Sequence, residues 1–239
     1  MMTKRLFFDI ETRANPAALA HLPEPEAPAN YRDAAKIAAA IAEKKAAQIA
    51  QAPLDPDTGY VSAIAWQAGL DGEPQVGLLV PASGGAYSAV PTTITLYIYT
   101  DDADRDHLER RLLERFWEAF ARLDGRCCGY NVIAFDLPFL LRRSMALQAA
   151  APAVLPALAK YKADPVRDLF GLLYQWGPGK GLKMLARLYG LPNELPGLTG
   201  ADVAGMDWRT EAAYAVNDLQ LLVALYRRMA GFYWPRDAE

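Results

Sequence analysis

Two acids stand one residue apart in the run Phe8-Asp9-Ile10-Glu11-Thr12. On an extended strand, residues i and i+2 leave from the same face, so both carboxylates point one way while Phe8 and Ile10 point the other. Carboxylates that close raise each other's pKa unless a cation sits between them, and metal binding is the usual resolution. With 17 Asp and 11 Glu in 239 residues, about one Asp-x-Glu arises by chance, and a second one, Asp71-Gly72-Glu73, reads as a plain turn. The first pair is set apart by its apolar strand, where an unpaired charge is expensive. The alternative is a strand-end pair exposed to water.

Two further runs carry acids in informative surroundings. Tyr130-Asn131-Val132-Ile133-Ala134-Phe135-Asp136-Leu137-Pro138-Phe139-Leu140 follows a short apolar segment and opens a helical pattern. Asp136 reads either as that helix's N-cap or as an acid facing Asp9 and Glu11 across a site. Tyr214-Ala215-Val216-Asn217-Asp218 places a phenol and a carboxylate four residues apart, on one side of a helix. Leu219, Leu222 and Val223 continue that side, so Asp218 is expected at the edge of a core.

The elements that must hold these residues follow from periodicity. Strands are expected at 4–12, 60–68, 75–80, 94–100 and 126–130, with a hairpin at Asp71-Gly72 and a Gly/Ser/Pro loop at 83–93. Helices are expected at 33–52, 104–123, 135–147, 181–189 and 208–229. Strands first, then helices mixed with a further strand, predict an α/β layer fold. The length suits one globular domain over 1–239, with a helical insertion at 13–59.

Composition excludes several classes. Two histidines and two adjacent cysteines, Cys127 and Cys128, leave too little for a zinc site and disfavour a mutual disulfide. The metal-binding capacity lies in carboxylates, which favour hard cations such as Mg²⁺ or Mn²⁺. No secretory leader or membrane span is visible, and a cytoplasmic protein is expected. Gly177-Pro178-Gly179-Lys180-Gly181 lacks the phosphate-loop pattern, so no NTP site is expected. The net charge of −3 hides an asymmetry: residues 105–187 carry 14 Lys and Arg against 8 Asp and Glu, the remainder 11 against 20. A phosphate-bearing substrate is compatible with that distribution, whereas broad duplex coating is not. Arg142, Arg143, Lys160, Lys162, Lys180 and Lys183 are candidates to guide a phosphate backbone, or else a solvated helix face. Asp168 reads as the structural partner of a basic side chain.

Taken in order, Asp-x-Glu, then Asn-x-x-x-Phe-Asp-x-Pro-Phe-Leu, then Tyr-x-x-x-Asp resembles the DEDD exonuclease superfamily. The middle run is most similar to the proofreading domain of family-B DNA polymerases and its free-standing relatives. Tyr214, in a place where another branch has histidine, points to the tyrosine branch (DEDDy). The resemblance implies a ribonuclease-H-like fold with a mixed five-stranded central sheet flanked by helices, and a 3′→5′ exonuclease releasing nucleoside 5′-monophosphates. It also implies two divalent metal ions, Mg²⁺ or Mn²⁺. Asp9, Glu11 and Asp218 would hold the ion that binds the attacking water, Asp9 would bridge to the second, and Asp136 would support that one. Tyr214 would orient the water. Asn131, Phe135, Thr12 and Ile10 would contact the strand, with Tyr130 and Phe139 flanking Asp136. Single-stranded DNA or frayed 3′ ends are the expected partners. The same site on RNA, a non-catalytic nucleic-acid-binding module and an endonuclease on the same fold stay open, and protein partners are not legible.

Overall fold

The structure is a computed structural model that describes residues 4–84, 87, 90–150 and 152–234. Residues 1–3, at the start expected to lack a leader, and residues 85, 86, 88 and 89 of the expected loop at 83–93 lie outside these.

Chain order runs β1 (Leu6–Ala14), α1 (Pro16–Leu19), α2 (Ala34–Gln51), β2 (Gly59–Ala68), β3 (Gln75–Pro81), β4 (Ile94–Tyr99), α3 (Asp102–Ala121), β5 (Cys127–Gly129), α4 (Asp136–Ala146), β6 (Val166–Asp168), α5 (Leu169–Tyr174), α6 (Leu182–Tyr189) and α7 (Trp208–Tyr233). The strands form one mixed sheet in the order β4-β3-β2-β1-β5-β6. β2 is antiparallel to both β1 and β3, while the β3–β4, β1–β5 and β5–β6 pairs are parallel. The sheet therefore has six strands where five are expected. The extra one, β6, is three residues long, too short for any alternation to show.

Each face of the sheet has its own core, as alternation along β1 requires. Phe8 and Ile10 pack with Ile64 against α3 (Leu112, Phe116, Phe120) and α4 (Leu137, Leu140). Phe7 lies on the other face with Ala63, Ala65 and Leu78, under α7 (Ala215, Leu219, Leu222). Glu109 of α3 is fully buried and takes a two-pronged ion pair from Arg143 of α4, at 2.9 and 2.6 Å. It also accepts the Val61 N–H of β2 at 2.9 Å. One buried carboxylate thus ties two helices to the sheet and fixes α4, the helix that begins with Asp136. Arg143 is consequently not available to a phosphate backbone, and Arg142 is engaged by Asp57.

α2 has no buried residue, and it is held by Lys45 to Glu24 at 2.9 Å and by Lys44 to the Glu26 carbonyl at 2.7 Å. The helical insertion leaves the body between two neighbouring strand ends, since Ala14 of β1 pairs with Gly59 of β2.

Candidate active site

Asp9 and Glu11 project from β1 toward α7, opposite Ala65 and Ala63 of β2. Those two alanines are small, which leaves room for α7 to bring its own polar side chains close. Helical spacing then sets Glu211, Tyr214 and Asp218 on the buried side of α7. Single carboxylate oxygens of Asp9, Glu11 and Asp218 lie within 4.8 Å of one another. No other such cluster of potential metal ligands occurs among the described residues.

The electrostatics of the trio follow from that crowding. Burial, the largest cause, pushes all three carboxyls up, and for Asp9 and Glu11 the neighbouring acids add to it. Asp136 is buried at the start of α4 and is pushed up to about 7, mainly by burial and further by Asp168. It lies outside the trio but raises Asp9 through space, and the Ile10 N–H bonds to both carboxylates.

One cation answers this negative charge. Lys183, in the first turn of α6, places its ammonium 3.2 Å from Asp218 and 3.6 Å from the centre of the Tyr214 ring. It also donates to the Leu198 carbonyl at 2.7 Å. Asp218 accepts further bonds from Asn217 Nδ2 at 3.0 Å and from the Tyr214 hydroxyl. The phenol is raised by burial first and then by Asp218 and Glu11, so it stays protonated and acts as a donor.

A second buried network lies one turn earlier on α7. Glu211, 1 % exposed, accepts from Arg13 of β1 and from Ser62 Oγ of β2, each at 2.6 Å. A register shift between Glu11 and Thr12 opposes two residues of β1 to three of β2. This bulge changes the parity of β2, so that Val61 joins the α3 side while Ser62 turns to Glu211. Arg13 also reaches the Met206 carbonyl ahead of α7, at 3.1 Å.

The remaining sequence-derived candidates are placed as follows. Thr12 is partly exposed, at the bulge beside Glu11. Ile10 buries its side chain in the α3–α4 core and meets the acids through its N–H alone. Phe135 caps α4 half-buried, its ring 5.6 Å from that of the buried Phe139. Tyr130 stacks edge-on against Phe170 and donates to the Lys180 carbonyl. Asn131 adopts a left-handed φ of 66°, and its N–H bonds to Asp168. Among the described residues, Asp168 makes no ion pair with a basic side chain. It is a buried cage for backbone donors, accepting from Asn131 at 2.9 Å, Ile133 at 2.9 Å and Gly171 at 3.2 Å. Glu211, Arg13 and Ser62 were not singled out by sequence reasoning. The signal for Glu211 was present, because it lies seven residues before Asp218 beside the apolar Ala212 and Ala215.

A mixed sheet between helical layers, with acids from its central strand meeting a C-terminal helix, is the ribonuclease-H-like fold of polymerase exonuclease domains. The chain belongs to the family described as predicted 3'-5' exonuclease related to the exonuclease domain of PolB, whose model matches residues 89–220. The match takes in Asp136, Tyr214 and Asp218 and begins after Asp9 and Glu11. Among solved structures, the family B DNA polymerase of the hyperthermophilic archaeon Pyrobaculum calidifontis is similar in fold, with a TM-score of 0.56 and 18% identity. The alignment covers 96% of this chain and 25% of the polymerase, so the chain spans about a quarter of that protein's length. No curated protein matches the chain in sequence.

Proposed function

We propose that this chain is a metal-dependent 3′→5′ exonuclease of the tyrosine branch, acting on single-stranded or frayed DNA ends. The observation that carries the reading is the meeting of Asp9, Glu11 and Asp218 oxygens within 4.8 Å. The donor set fits hard divalent cations: it is all carboxylate oxygen, and it is poor in positive charge apart from Lys183. Asp9, Glu11 and Asp218 would hold one ion, with Asp136 supporting a second beside Asp9. Bound there, Mg²⁺ or Mn²⁺ would supply a nucleophilic water and stabilise charge on the entering and leaving oxygens.

The chain's own groups do the rest. The water oxygen bonds to the terminal phosphorus and gives a proton to solvent, the P–O3′ bond breaks, and a nucleoside 5′-monophosphate leaves while solvent supplies a proton to the new 3′-hydroxyl. Tyr214, protonated and hydrogen-bonded to Asp218, orients the water and does not take its proton. Lys183 offsets the charge of the incoming phosphate from its seat between Asp218 and Tyr214. Asn131 and Phe135 sit beside Asp136, where the last nucleotides of a strand would lie.

A divalent-metal titration on a 3′-labelled single strand tests this. Labelled mononucleotide should appear only with metal and vanish in Asp9→Ala, while a circular single strand survives. Full activity of Asp9→Ala would overturn the assignment, and a strong preference for a matched RNA strand would move the substrate from DNA to RNA.

A further inference from the structure

The segment between α4 and α6 carries aromatic side chains that catalytic chemistry does not use: Trp176, half-buried at the edge of the α3–α4 core, and the exposed Tyr161. Tyr161 is 74 % exposed, yet its backbone is left-handed, with φ 64°. Gln175 and Trp176 are left-handed in succession, at φ 50° and 64°. Gln175 does so as the C-cap of α5, but a bulky ring following it in the same region is uncommon and is held only where its surroundings over-determine it. Here Gly171 does that: a Cβ on it would come 2.4 Å from the Trp176 ring, so the indole lies directly on the α5 backbone. Tyr161 stands 6.4 Å from Trp176 at 80°, and the Lys160 ammonium lies 5.4 Å from the same indole. Two rings at right angles with a cation beside them make an open notch.

The notch is electropositive and rigidly joined to the proposed active site. Residues 152–187 contain two acids, Asp164 and Asp168. Asp164 is engaged by Arg5, and Asp168 is filled by backbone donors, while Lys160, Lys162 and Lys180 of the same segment are exposed, Lys160 beside the indole. Asp168 bonds at once to the Asn131–Ile133 turn that leads to Asp136 and to Gly171 under Trp176. One buried carboxylate therefore fixes the notch relative to the loop of Asn131 and Phe135.

We infer that Trp176, Tyr161 and Lys160 form a second binding site that stacks an unpaired base of the single strand, upstream of the nucleotide being removed. This rests on the exonuclease reading for its substrate. Aromatic faces beside a cation accept any base, and truncating one such ring costs from several-fold to about a hundredfold in affinity.

The test is equilibrium binding of a labelled single strand of about ten nucleotides, with chelator present so that it is not cut. Tyr161→Ala, at an exposed position, should weaken binding about tenfold and Tyr161→Phe should bind like the wild type. An abasic strand of the same length should bind wild type and Tyr161→Ala equally. Equal affinity of Tyr161→Ala and wild type for the normal strand would overturn the inference, as would an equal loss on the abasic strand. Hydrolysis of the p-nitrophenyl ester of thymidine 5′-monophosphate by the wild type is measured separately with metal. Failure there counts against the exonuclease reading and leaves the binding result standing.

Discussion

Tyr214 can donate a hydrogen bond or accept a proton, and its surroundings choose the first. Burial and the adjacent Asp218 and Glu11 raise the phenol, so at neutral pH its proton is available to a water or to Asp218 but not exchangeable for one. Tyr214→Phe removes that donor and keeps the ring under Lys183. It is expected to lower kcat on the order of 10²-fold with little change in KM, the size seen when a single positioned donor is lost. Steady-state rates on a single strand check it. The acids make a second prediction. Each has a folded-state pKa above its unfolded one, Asp136 at about 7. A raised acid binds protons more tightly in the native state, so its contribution to stability is complete below the unfolded value and is lost as pH rises through the folded one. Metal-free protein should therefore melt lower at about pH 8 than at about pH 6, and Mn²⁺ should raise Tm more at the higher pH. A metal-induced shift that does not grow with pH would contradict this, and calorimetry reads it. Strand period paired Asp9 with Glu11 and helix period paired Tyr214 with Asp218, while only the resemblance joined the two pairs in one site. Lys183 was legible only as one of six basic residues, because its contact with Asp218 joins two helices and leaves no trace in spacing.

At the scale of elements, the question is what holds α7 in register over β1. Asp218 meets Asp9 and Glu11 only if the helix neither slides nor turns, and the apolar packing against Ala63 and Ala65 carries no directional bond. The Arg13–Glu211–Ser62 network supplies the directional restraint from the turn before Tyr214. Glu211→Ala leaves Arg13 without its ionic partner and should cost about 2–3 kcal/mol, somewhat below a fully buried pair because Arg13 is a fifth exposed. Ser62→Ala should cost about 1 kcal/mol, since Arg13 still pairs with the carboxylate. Denaturant midpoints measure both. If the network sets register, Glu211→Ala should also weaken Mn²⁺ affinity under conditions where it stays folded, while Glu211→Gln, whose amide oxygen can still accept from Arg13 as its NH2 donates to the Ser62 hydroxyl, should retain most of it. Unchanged metal affinity in folded Glu211→Ala would show that apolar packing alone holds the helix. The long elements carried their period openly. The bulge at Glu11/Thr12 did not, because parity changes show only once β1 and β2 are paired. β6 and α5 were missed for a different reason: at three and six residues, neither completes a pattern, and what joins them is Asp168, the last residue of β6 and the N-cap of α5, whose partners at Asn131 and Ile133 are remote in sequence.

For the whole molecule, the segment leaving β1 and returning at β2 is an addition to the sheet and not a part of either core. α2 buries nothing, and its ties run to the preceding coil at Glu24 and Glu26. The roots of the insertion are nevertheless close together. The Asn15 N–H bonds to the Thr58 carbonyl at 2.8 Å, and the Ala52 and Arg13 carbonyl oxygens lie 2.8 and 3.2 Å from the same point over Gly59. A linker of about four Gly/Ser residues can span that gap in place of residues 16–51. The shortened chain keeps Asn15, whose side chain accepts from Arg105 at 3.1 Å, and Ala52, which is buried against the strand ends. Its melting temperature is expected to fall by no more than a few degrees, because no buried apolar surface leaves with α2. Hydrolysis of a mononucleotide ester should persist, since none of the acids or their partners lies between 16 and 51. If degradation of long strands drops while the ester is still cut, the arm guides the strand. Loss of both activities in a folded protein would instead show that the arm shapes the acidic site itself.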